Sequence, residues 1–197
     1  MLIEAMARLG QSNLHASLEA FRSLDQASPA VVFTLARRFV ELPSPEYRIY
    51  CAWLLRSRYG SDPASLLLRL LTDEVPRVNR YTFRLFSSRR IERELIEQLI
   101  ARLRTPPTLS PWHARNLVEL ISRPEKFAAT VDRGSALDSQ IEKVLHMYAQ
   151  QGSLSTRLRA IATLRQRGIP SPQLLFYANL EQKADVRDLL IAVAVGD

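Results

Sequence analysis

The sequence is poor in the residues that build disulfides, metal sites and phosphate loops. It holds one cysteine, three histidines and six glycines in 197 residues. Cys51 has no second thiol within the chain, which suits a reducing compartment, and its place in an apolar helical run reads as a small buried hydrophobe. His15, His113 and His146 are dispersed and no pair is four apart, so zinc-ligand spacing is missing and neither a metal nor a cofactor is expected. There is no glycine-rich phosphate loop and no G-x-S-x-G. Long apolar runs are also missing. LLLRLL and LLIAVAV fall well short of the roughly 20 residues of a membrane span. MLIEAMARLG has no basic start and is interrupted by Glu4, so it does not read as a secretory signal. The expected location is cytoplasmic. Period-two alternation and hairpin dipeptides are missing as well, which removes the signals of β-strands.

Lysine is scarce against arginine. Of 27 basic residues three are lysine, and with 20 acids the net charge is +7. Arginine suits carboxylate and phosphate recognition, so the excess points to acidic partners or polyanions; genome base composition gives the same bias with no function behind it. With 47% apolar and 24% charged residues, the chain has the composition of an ordinary globular protein with a sizeable core.

Proline marks helix starts. Ser28-Pro29, Ser44-Pro45, Asp62-Pro63, Ser110-Pro111 and Ser171-Pro172 share one form. The Ser or Asp is expected to accept a first-turn N–H, and Pro to fill a position where its missing N–H costs nothing. Together with apolar spacing, these signals predict helices over Met1–Leu9, Asn13–Asp25, Pro29–Leu42, Pro45–Tyr59, Pro63–Thr72, Pro76–Ser87 and Arg90–Arg104. After the break Thr105-Pro106-Pro107-Thr108 they predict Pro111–Ser122, Pro124–Arg133, Ala136–Gln151, Leu154–Arg167, Pro172–Glu181 and Ala184–Val195. The chain reads as a single all-helical domain, 1–197, with a possible subdivision near 105–110. Short connections make successive helices antiparallel neighbours.

Part of the chain repeats. STRLRAIATLRQRG and ADVRDLLIAVAVG each carry an Arg near the start, an apolar spread and a closing Gly, and Arg157 and Arg187 are 30 apart. PEYRIYCAWLLRSRYG, around Arg48, fits the same template, and VPRVNRYTFRLF, around Arg77, fits it less closely. That period is one of helical pairs. The residues Asp185-Val186-Arg187, Arg157 with Ala160-Ile161 and Leu164, Asp73 with Val75 and Arg77, and Arg48 resemble the HEAT-like helical-repeat family. The resemblance implies antiparallel pairs stacked as a short α-solenoid, with an Asp–Arg ladder between repeats. Asp73/Arg77 and Asp185/Arg187 hold both ladder residues, whereas Arg48 and Arg157 lack the Asp. An irregular helical bundle is the alternative architecture.

Three stretches are candidate sites. Arg77, Arg80 and Arg84 fall within about 60° on one helix, followed by Arg89 and Arg90. Tyr81 and Phe83 lie alongside. This stripe fits a partner or phosphate contact, against the plain alternative of a solvated face. Arg157, Arg159, Arg165 and Arg167 form a second basic segment spread around their helix. Leu189, Leu190, Ile191, Val193 and Val195 make the last helix apolar over most of its circumference, which calls for burial under earlier helices, a second copy or a docked partner. Trp112, His113 and Arg115 open another helix; packing is the expected use of Trp112, and Trp53 is expected in the core. Glu92, Glu94 and Glu97 alternate with arginines and read as surface ion pairs. With no catalytic constellation visible, the leading reading is a non-enzymatic protein-interaction scaffold with an acidic partner. A nucleic-acid-binding HEAT-like protein, which the resemblance extends to DNA-repair glycosylases, is one alternative. An accessory subunit of a bacterial multiprotein machine, docking through its last helix, is another.

Overall fold

A computed structural model describes residues 27–56, 58, 60–87, 91–105, 109–123 and 131–196. Among them are ten helices and no strand. They are α1 (Pro29–Phe39), α2 (Pro45–Leu55), α3 (Ser61–Leu71), α4 (Pro76–Ser87), α5 (Arg93–Leu103), α6 (Pro111–Ile121), α7 (Ala136–Gln151), α8 (Leu154–Gln166), α9 (Ser171–Asn179) and α10 (Ala184–Val195). The helices expected over Met1–Leu9 and Asn13–Asp25, and most of Pro124–Arg133, lie outside the described residues. So do Arg89, Arg90 and the prolines of the break near 105–110. The chain divides into two compact units, Met1–Leu85 and Phe86–Asp197.

In the first unit α1, α2 and α3 pack against one another. The apolar positions of each helix supply the core: Leu35 and Phe39 from α1, Leu54 and Leu55 from α2, Leu67 and Leu70 from α3, all buried. Full burial of side chains of this size stabilises by about 1.5–3 kcal/mol each. Cys51 is buried among them, its Sγ 3.4 Å from the Ala36 carbonyl, and burial pushes its thiol up to about 12.

The second unit is built from adjacent helix pairs, α5 with α6, α7 with α8 and α9 with α10. Each pair also meets the next: α5 touches α7, α6 touches α8, and α8 touches both α9 and α10. Connections are short; only Gly152 and Ser153 separate α7 from α8. A Cβ at Gly152 would sit 2.6 Å from the Tyr148 carbonyl oxygen, so this turn takes glycine for lack of space. Its φ is −71°, which any residue adopts.

The helix starts follow proline more than the Ser or Asp before it. Ser110 accepts the His113 N–H, but Ser28 and Ser44 make no side-chain cap bond. Asp62 and Ser171 lie inside α3 and α9, whose caps are Gly60 and Pro170. The ring's fixed φ already suits the first turn, so a cap bond is not required there. Ser135, with no proline after it, caps α7 by accepting the Asp138 N–H. The ends fall short of expectation: α2 stops at Leu55 and not Tyr59, and α1 at Phe39 and not Leu42.

Candidate functional site

The arginine stripe of α4 is on the surface. Val78, Asn79 and Thr82 of that helix are buried, while Arg77, Arg80 and Arg84 are exposed. Tyr81 and Phe83 flank the stripe and are half-buried. No acid occurs between Pro76 and Ser87. Arg77 reaches Glu46 of α2 at 3.3 Å, with both side chains mostly in solvent. It does not pair with Asp73 of its own motif.

Asp73 belongs to Arg48. Arg48 is the fourth residue of α2, and its Nε and Nη2 donate to the two Asp73 carboxylate oxygens at 2.7 and 3.2 Å. Its Nη1 donates to the carbonyls of Leu42 and Pro43, each at 2.8 Å. Asp73 also accepts the Val75 N–H at 2.9 Å. The two side chains are only 13% and 10% exposed. One guanidinium therefore joins the turn before its helix to the turn that opens α4.

The same clip recurs in the second unit. Arg157 is the fourth residue of α8. It donates to Glu181 at 2.6 Å, to the Ala149 carbonyl at 3.3 Å and to the Tyr177 carbonyl at 3.2 Å. Glu181 accepts the Lys183 N–H at 3.1 Å. That N–H and Arg157 hold its carboxyl below the ordinary carboxylate range. Asp73 and Glu181 each stand three residues before the next helix, 25 and 24 residues after their arginines. In α4 the fourth position is Asn79, buried, whose side-chain amide donates to the Leu71 carbonyl. Each acid thus lies at the end of the turn that precedes the next arginine-bearing or asparagine-bearing helix, outside its own arginine's motif. The recurrent offset of 24–25 was the signal available in the sequence.

The other arginines of α8 are also engaged. Arg159 meets Glu119 of α6 at 2.6 Å, where Arg123 already binds at 2.9 Å, so one carboxylate lies between two guanidiniums. Arg165 donates to the Val193 carbonyl of α10 at 3.1 Å. Arg167 pairs with Asp138 of α7. Burial pushes the Asp138 carboxyl up, but the Gly134 N–H and Arg167 together bring it below its usual value. All four arginines of this segment therefore link α8 to α6, α7, the α9–α10 turn or α10.

The last helix is not covered on all sides. In α10 Leu190 and Ala194 are buried, Ile191 and Val193 are half-buried, and Leu189 and Val195 are exposed. Among the described residues its inner face packs on α8 and α9. Trp112 is 41% exposed, with the Arg115 guanidinium 6.0 Å from its ring centre. Trp53 is half-buried under the Arg56 guanidinium, 3.6 Å from the ring centre. Arg93 and Glu97 form the expected exposed ion pair at 2.8 Å.

A shallow depression of about 360 Å³ in the first unit is lined by Val40, Arg48, Arg69, Asp73 and their neighbours. Its two guanidiniums are matched, Arg48 to Asp73 and Arg69 to Glu41, which leaves no cation there uncompensated for an anionic ligand. Among the described residues no three His, Cys, Asp or Glu side chains come together as metal ligands. No described helix is long and apolar enough to cross a membrane. No family model, curated protein or solved structure matches the chain.

Proposed function

We propose that the chain is a non-enzymatic scaffold of HEAT-like helical repeats that binds an acidic protein partner. The observation that carries this reading is α4: three arginines on its outward face, no carboxylate in the helix, and an aromatic on either side. Arginine and aromatic side chains dominate binding hot spots between proteins. Stacked helix pairs provide extended surfaces whose side chains vary without disturbing the core. The test is Arg80→Glu with Arg84→Glu in the full chain. Retained partner from affinity capture is expected to fall to background while the far-ultraviolet spectrum stays helical. Capture that survives both charge reversals overturns the reading.

The same stripe supports a second reading, binding of nucleic acid. Fluorescence anisotropy with a labelled duplex DNA and a labelled single-stranded RNA at two salt concentrations separates the two. Micromolar or tighter binding that weakens steeply with salt would put nucleic acid first, because counterion release drives such binding. No binding at low salt leaves the protein partner.

A further inference from the structure

We draw no further inference here: the strongest candidate, the exposed apolar surface of α9 and α10 that includes Phe176, Leu189 and Val195, carries nothing, because nothing in the structure shows what covers it.

Discussion

At the scale of single residues, the clips explain why arginine is used and lysine is not. Arg48 sends separate N–H groups to a carboxylate and to two carbonyls. A planar fork serves those directions at once, and a single ammonium does not. Arg48→Ala is expected to cost about 1–3 kcal/mol, because it strands a largely buried Asp73. Arg48→Lys should recover only part of that. Arg77→Ala, which removes an exposed pair, should leave the urea midpoint unchanged. Equal midpoints for the Arg48 and Arg77 variants would show that the clip contributes nothing. Cys51 supplies a second prediction. A buried thiol held at about 12 is scarcely ionised at pH 8, and the thiolate is the reactive form. Alkylation by iodoacetamide should be slow in water and fast in denaturing urea, with rates read by mass spectrometry. Rapid labelling of the native chain would place the thiol elsewhere.

At the scale of elements, helix starts were legible in the sequence and helix ends were not. Proline at a helix start is a local signal, since its ring fixes φ without help from the rest of the chain. The end of α2 depends on what surrounds it. Arg56, just past Leu55, turns back to stack on Trp53 and donates to the Trp53 carbonyl. No spacing rule contains that. The expectation that five Ser or Asp residues cap helices failed for four, because proline had already settled the first turn. Ser110→Ala should therefore cost about 0.5–1 kcal/mol, the usual value of a cap bond, whereas Ser28→Ala should leave the thermal midpoint where it is. A matching loss at Ser28 would show that a cap bond forms there in solution. Of the candidate sites, the α4 stripe was readable because helical angle alone places three arginines together. The use of Arg157, Arg159, Arg165 and Arg167 was not readable, because their partners lie up to 40 residues away on other elements.

At the scale of the whole molecule, the carboxylates set the acid limit. Arg69 lowers Glu41; Ser44 and the Glu46 N–H, then Arg77 and Arg48, lower Glu46. Asp138 and Glu181 are lowered as well. A carboxylate depressed in the folded state contributes stability that is complete above its unfolded pKa and is lost as pH falls through its folded pKa. Stability should thus begin to fall near pH 4, where unfolded Asp and Glu titrate, and fall further below it. The net charge of +7 adds repulsion as the acids are neutralised. Thermal melts from pH 7 to pH 3 should show the midpoint descending on the acid side. A midpoint unchanged to pH 3 would mean that these pairs persist when protonated or never mattered.

The second clip is also self-contained along the chain. Arg157 and its acid Glu181 both fall within residues 154–183, a span of 30 residues. A tandem duplication of that segment would carry donor and acceptor together. Each new copy would close its own turn without compensating change elsewhere.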